Sequence, residues 1–213
     1  MFITFEGPDG SGKTTQVKHL IDYLSDQGYP VFQTREPGGT PIGDQIRDVL
    51  HDLKNEGMHP HTEILLYAAS RAQLVAEGIR PRLAKGEIVV CDRYADSTLA
   101  YQGYGHGLDL PTLRTILRFA TGGLQPSLTL YLDISAEKGL RRRQQAAAGG
   151  EEWNRMDAQS LAFHRRVREG YHALIAEDPE RWVCIAADGE LDAIQAQIRA
   201  AVMTRLSMLP QKR

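Results

Sequence analysis

The chain has 213 residues, 42% of them hydrophobic, with 25 Lys and Arg against 27 Asp and Glu for a formal charge of −2. This length suits one α/β domain with a sizeable core, and the near-neutral balance gives no reason to expect bulk nucleic acid or an anionic membrane as partner. No apolar run reaches the ~18 residues of a membrane span, and no charged leader with a short apolar core is present, so a cytoplasmic protein is expected. The two cysteines, Cys91 and Cys184, each lie inside an apolar strand-like run. They read as small buried residues of a reduced protein, with a disulfide or metal pair as the other reading. His59 and His61 read as loop residues rather than metal ligands.

In chain order, the apolar run Met1–Phe5 reads as a strand. It leads into Gly7-Pro8-Asp9-Gly10-Ser11-Gly12-Lys13-Thr14, which fits G-x-x-x-x-G-K-[ST], a phosphate-binding loop between strand and helix. The glycines let successive backbone N–H groups turn inward as an anion site, and the following helix adds the positive end of its dipole. Lys13 is expected to reach the β- and γ-phosphates of a nucleotide, and the Thr14 hydroxyl to ligate Mg²⁺. Val17, Leu20, Ile21 and Leu24 recur at helical spacing, so a helix should run from Lys13 to near Gly28.

Pro30–Thr34 reads as a second strand, and Arg35-Glu36-Pro37-Gly38-Gly39-Thr40-Pro41 as irregular chain. Ile42, Ile46, Val49 and Leu50 suggest a short helix, and Asn55–His61 a loop or hinge. A long helix is expected from His61 to Lys85, with Ile64, Leu65, Ala68, Ala72, Val75 and Ile79 as its apolar stripe and Pro81 kinking or restarting it. Glu87–Cys91 looks like a buried parallel strand and ends in Asp92-Arg93-Tyr94. A polar helical segment, a glycine-rich loop (Gly103, Gly105, Gly107), a helix over Pro111–Ala120 and a strand over Leu128–Leu132 follow. The basic helix containing Leu140–Arg143 fades into a mobile tip at Ala146–Gly150. A helix then runs from Ala158 to Glu177, Trp182–Ala186 is the last strand, and a helix spans Leu191–Leu206. Strands alternating with helices imply an α/β fold: five parallel strands covered by helices on both faces, in three layers, with the ligand at the strands' carboxyl ends.

A phosphate loop alone leaves GTPase switches, motor ATPases and small-molecule kinases open. There is no N-K-x-D guanine-reading motif, but cations stand at separate strand ends and in a basic helix: Arg35, Arg71, Arg93 and Arg141–Arg143. An enzyme that phosphorylates a nucleotide must hold a second phosphate opposite the first, and arginine's planar fork suits that task.

The chain resembles thymidylate kinases, from Met1 to about Asp188. The resemblance is carried by Phe5-Glu6-Gly7 with Asp9-Gly10 and Gly12-Lys13-Thr14-Thr15; by Thr34-Arg35-Glu36-Pro37-Gly38-Gly39-Thr40; and by Tyr67-Ala68-Ala69-Ser70-Arg71-Ala72-Gln73. It continues in Asp92-Arg93-Tyr94 with Ser97-Thr98-Leu99-Ala100-Tyr101-Gln102-Gly103, and in Tyr131-Leu132-Asp133. It implies a nucleoside-monophosphate-kinase-like P-loop fold, in one domain over 1–213 with a mobile lid at about 141–157, that transfers the γ-phosphoryl group of ATP to dTMP with Mg²⁺. Residues Gly7, Pro8, Asp9, Gly10, Ser11, Gly12, Lys13, Thr14 and Thr15 would hold ATP. Asp9 would bind the sugar 3′-hydroxyl, and Arg35 and Arg93 the dTMP phosphate. Arg71 would lie over or beside the thymine, with Tyr67 stacked on its face. Ser97, Thr98 and Gln102 would meet its polar edge, and Tyr101 would stand against C2′. Asp92, with Thr14 and Asp9, would complete the metal shell. Glu36 either shapes its turn or touches the ligand; both readings stand.

The resemblance also implies a homodimer, which composition neither supports nor opposes. The phosphate loop offers no arginine, since Gly10 and Ser11 stand beside Asp9, so the lid must supply it. There this chain departs from the family's pattern, reading Ala148-Gly149-Gly150-Glu151-Glu152-Trp153-Asn154-Arg155-Met156-Asp157 with no arginine before the glycine. Arg142 is expected near the adenine, whose other neighbour would be the loop at Ala187, and Arg143 or Arg155 at the transferring phosphate. The rivals are a kinase of the same fold for another nucleotide or nucleoside, and a P-loop switch or scaffold without transfer activity.

Overall fold

The computed structural model describes residues 1–150 and 152–208; Glu151 of the expected lid lies outside the described residues, as does the end of the expected domain at 209–213. Five strands, β1 (Phe2–Glu6), β2 (Val31–Arg35), β3 (Ile88–Asp92), β4 (Leu128–Asp133) and β5 (Trp182–Ala186), form one parallel sheet in the order β2-β3-β1-β4-β5. Between them lie α1 (Lys13–Asp26), α2 (Pro41–His51), α3 (Pro60–Leu74), α4 (Arg80–Ala84), α5 (Ala95–Thr98), α6 (Leu110–Thr121), α7 (Ala136–Ala148) and α8 (Leu161–Glu177), and α9 (Leu191–Ser207) closes the fold.

The apolar strands follow from burial on both faces. Alternate side chains go opposite ways: Ile3, Phe5, Val90, Leu128, Leu130 and Leu132 pack with Val17, Leu20 and Leu24 of α1 and Ile194, Ile198 and Val202 of α9. From the other face, Phe2, Val89 and Cys91 meet Leu74 and Val75, and Tyr131 meets Leu113, Val167 and Tyr171 of α6 and α8. On that face Thr4 and Thr129 of adjacent strands join hydroxyls at 3.0 Å, so neither polar group is buried unpaired.

The fold differs from the sequence expectation in particular places. The expected glycine-rich loop is a wide π-helical segment, Leu99–Gly105, continuing α5. Gly103 and Gly105 serve close packing there: a Cβ would fall 2.5 Å from Leu110 Cδ2 at Gly103 and 2.6 Å from Phe163 Cε2 at Gly105. Ahead of Pro81 the helix widens into a π turn, Val75–Ile79. A proline ring collides with the carbonyl four residues back, and the wider turn accommodates it. The expected tip at Ala146–Gly150 is helical as far as Ala148, as its alanines favour.

Leu65, expected in the apolar stripe, is 60% exposed, and Ile42 and Val49 of α2 are also exposed. Cys91 is buried, but Cys184, expected to be buried, is exposed on the edge strand β5; both are free thiols. Among the described residues no helix is long and apolar enough to cross a membrane.

Candidate active site

The strands end together at Glu6, Arg35, Asp92 and Asp133. Over these ends opens a cleft of about 420 Å³. One wall is the loop from Gly7 to Gly12. Its glycines permit close approach: a Cβ on Gly10, whose φ is +77°, would sit 2.2 Å from the Gly139 carbonyl oxygen of α7. Buried Lys13 opens α1, and its Nζ donates to Gly7 O (3.0 Å), Pro8 O (2.9 Å) and Ser11 Oγ (3.3 Å). Burial, followed by the Arg93 charge, lowers its pKa to about 8. One residue on, the Thr14 hydroxyl donates to Asp92 Oδ2 at 2.8 Å. This all-oxygen pair at the loop's mouth fits a hard cation that keeps several waters and phosphate oxygens as its other ligands. Among the described residues no cluster of three acidic, His or Cys side chains could hold a metal by itself.

Asp9, also expected in the metal shell, has both carboxylate oxygens engaged by other side chains. Its Oδ1 accepts from Arg93 Nη2 at 2.5 Å and its Oδ2 from the Tyr101 hydroxyl at 2.7 Å. Burial raises its pKa, but the Arg93 and Lys13 charges and the Tyr101 hydrogen bond outweigh it and hold the carboxyl below the usual carboxylate range. Arg93 is the one non-glycine residue among those described with positive φ, at +70°. Its N–H donates to Phe5 O at 2.9 Å and its own carbonyl accepts from Cys91 Sγ at 3.0 Å, which fixes this costly conformation. The guanidinium is thereby aimed into the cleft, where it also donates to Gly7 O, Ser97 Oγ, Tyr171 OH and Tyr101 OH and lies 4.9 Å from the centre of the Tyr101 ring.

Beneath it is fully buried Glu6, to which the sequence reading gave no role. It accepts from Tyr94 N–H (2.8 Å), Ser97 Oγ (2.5 Å) and Tyr171 OH (2.8 Å). Burial and then the Asp96 charge raise its pKa to about 7. The available signal was a lone carboxylate closing an otherwise apolar strand.

The opposite wall brings together Arg35, Tyr67, Arg71, Ser97, Thr98, Tyr101 and Gln102, all expected here. Half-exposed Arg35 pairs with Asp44 at 3.2 Å. Arg71 is buried; its Nε donates to Glu36 Oε2 (2.7 Å), Nη1 to Thr98 Oγ1 (3.1 Å) and Nη2 to Tyr94 O (3.1 Å). Glu36 therefore shapes this wall through Arg71. Arg47 and His51 of α2 also line the cleft and were missed. Arg47 shares a helical face with buried Gly43 and Leu50, a spacing visible in the sequence; burial and the Arg35 charge lower its pKa. Burial and then Arg47 lower the His51 pKa to about 4, so its ring is neutral at pH 7.

The arginines expected of a lid take different places. Arg142 donates to Gly10 O (3.4 Å) and Ala187 O (3.0 Å), bridging the phosphate loop and the chain after β5. Arg143 lines the cleft, gripping Asp157 with Nε and Nη2, both at 2.9 Å, and donating to Glu152 O at 2.6 Å. Arg155, expected as an alternative at the transferring phosphate, does not line the cleft. It is 5% exposed, paired with Glu63 and donating through Nε to Leu50 O at 3.2 Å, because the short helical turn after Asn154 carries it inward.

The model of the thymidylate kinase family matches residues 5–198. The thymidylate kinase of Roseiflexus castenholzii is 54% identical, covering 99% of this chain and 96% of that protein. Those of Herpetosiphon aurantiacus and Bacillus pumilus are 50% and 46% identical, with 98% and 97% of this chain and 98% and 96% of theirs covered. The crystal structure of thymidylate kinase from Ehrlichia chaffeensis superposes with a TM-score of 0.77 at 32% identity, over 95% of this chain and 98% of that one.

Proposed function

The chain belongs to the thymidylate kinase family and is a dTMP kinase, and on that premise we propose how its own residues divide the transfer of the ATP γ-phosphoryl group to dTMP. The observation that carries the reading is a single cleft in which the phosphate loop and Lys13 stand beside the Arg93–Asp9–Tyr101 constellation, Lys13 and Arg93 sharing the Gly7 carbonyl, with Arg35, Arg47 and Arg71 lining the same cleft. Phosphoryl transfer needs two phosphates held in line and cations around the transferring group, with little covalent help.

Residues 7–15 hold the ATP phosphates, and Arg142 and the backbone at Ala187 flank the adenine. Lys13 exchanges the carbonyls of Gly7 and Pro8 for phosphate oxygens. Thr14 and Asp92 would hold Mg²⁺, which neutralises charge on the phosphates when bound. Arg93, Arg35 and Arg47 receive the dTMP phosphate, and Asp9 and Tyr101 the sugar. Tyr67, Arg71, Ser97, Thr98 and Gln102 enclose the thymine. Arg143 is the lid residue assigned to the transferring phosphate, exchanging Asp157 for it as residues 141–157 close over one kinase domain and exclude water. The protein acts in the cytoplasm, in keeping with its two free thiols, as a homodimer.

The test is ADP release with ATP and Mg²⁺ against dTMP, dUMP, dCMP, dAMP and thymidine. Fast release with dTMP is expected. A rate with another acceptor alone would overturn the pocket, and release no faster with any acceptor than without would overturn transfer.

A further inference from the structure

Glu63 of α3 does not line the cleft, is 2% exposed, and holds a residue that does. Its Oε1 accepts from Gln102 Nε2 at 2.7 Å, and its Oε2 is paired with the Arg155 guanidinium; His106 Nε2 lies 3.8 Å away. A carboxylate paired with arginine has no proton to give, so it only accepts. The two ends of the Gln102 amide are therefore not interchangeable. Its nitrogen must face Glu63, and turning the amide over would oppose two acceptors at hydrogen-bond distance. The carbonyl oxygen Oε1 is the end left for the cleft, and among the described residues no donor reaches it.

The neighbouring Arg71 can be counted in the same way. Nε–H goes to Glu36, and Nη2, 2.6 Å from Glu36 Oε2, also serves Tyr94 O. One Nη1 hydrogen goes to Thr98, which leaves one Nη1–H uncommitted. The wall thus presents one fixed acceptor and one fixed donor.

We propose that Glu63 is a positioning residue for acceptor choice: by pinning the Gln102 amide, it makes the cleft read a pyrimidine with a ring N–H beside a carbonyl and reject one with a bare ring nitrogen beside an amine. This rests on the reading that Gln102 and Arg71 meet the acceptor base. Thymine and uracil satisfy both groups, whereas cytosine sets an acceptor against Gln102 Oε1 and a donor against Arg71. Buried Arg155, displaced from its expected phosphate, keeps Glu63 an acceptor.

The experiment compares kcat/KM for dTMP and dCMP in the wild type, Glu63→Gln and Glu63→Asp. In Glu63→Gln the side chain can donate, both amide orientations of Gln102 are satisfied, and the dTMP:dCMP ratio should fall tenfold or more. In Glu63→Asp the partner still only accepts, so the ratio should stay within about threefold of wild type, whatever happens to the rate. Should Glu63→Gln not fold with Arg155 left unpaired, the double variant Glu63→Gln/Arg155→Met carries the same expectation. An unchanged ratio in the Gln variants, beside a wild type active on dTMP, overturns the inference alone. A wild type with no dTMP-dependent ADP release overturns the functional reading beneath it.

Discussion

Lys13 stands where charge must be available when phosphate arrives, yet burial holds its pKa at about 8. Below that pH the ammonium is present and is satisfied by loop carbonyls; above it, nucleotide binding must take up a proton to restore it. ATP affinity is therefore expected to weaken as pH rises through 8, with KM for ATP climbing, and a flat KM from pH 7 to 9 would contradict this. Lys13→Ala should abolish transfer while leaving the circular dichroism of the fold intact. Tyr101 changes what the sequence alone suggested, because its ring is more than a wall against C2′. Its hydroxyl donates to Asp9 and accepts from Arg93 at 3.0 Å, bridging the pair that faces the acceptor. Tyr101→Phe should lower kcat/KM for dTMP roughly tenfold, the loss of a buried charge-assisted bond, while preserving the preference for deoxyribose. Tyr101→Ala should erode that preference as well. Measured side by side with the ribose counterpart of dTMP, equal preference in wild type and Tyr101→Ala would remove the steric role.

The π-helical segment Leu99–Gly105 carries Tyr101 and Gln102, and α8 closes over it. Gly105 makes that contact possible, since a Cβ there would also lie 3.0 Å from Val167 Cγ2. Gly105→Ala should therefore cost about 1–3 kcal/mol of stability through overpacking, seen as a lower urea midpoint, and should raise KM for dTMP before kcat falls. An unchanged midpoint would show that α8 yields freely. The same segment marks the limit of what sequence can disclose. Continuous apolar runs and helical spacing were enough to find the strands and the long helices, because those patterns are local consequences of burial. The reason for Gly103 and Gly105 lies in Leu110 and Phe163, which meet them only in the fold. The site divides in the same manner. The phosphate loop, Arg93 and Arg71 stand in contiguous motifs, whereas Glu6 and Glu63 act through partners up to 165 and 92 residues away. Arg155 could be recognised as a lid cation, but its direction depended on a carboxylate from α3.

For the whole molecule, the outer surface of the acceptor wall carries what the inner surface does not explain. Ile42 and Val49 of α2, Leu65 of α3 and Phe119 of α6 are 52%, 45%, 60% and 90% exposed, and α3 contacts both α2 and α6 in the fold. In the proposed homodimer, a second copy would cover these side chains. Such pairing would bear on the site through α2 and α3, whose residues Arg47, Tyr67 and Arg71 line the cleft. Light scattering of the wild type at micromolar concentration should give about twice the 23.7 kDa of one chain. Leu65→Glu and Phe119→Glu should each shift it towards the single-chain mass with the helical signal unchanged, and the monomer so made should bind dTMP more weakly while ATP binding changes little. A wild type that scatters as a single chain would show that these side chains face water for some reason other than self-association.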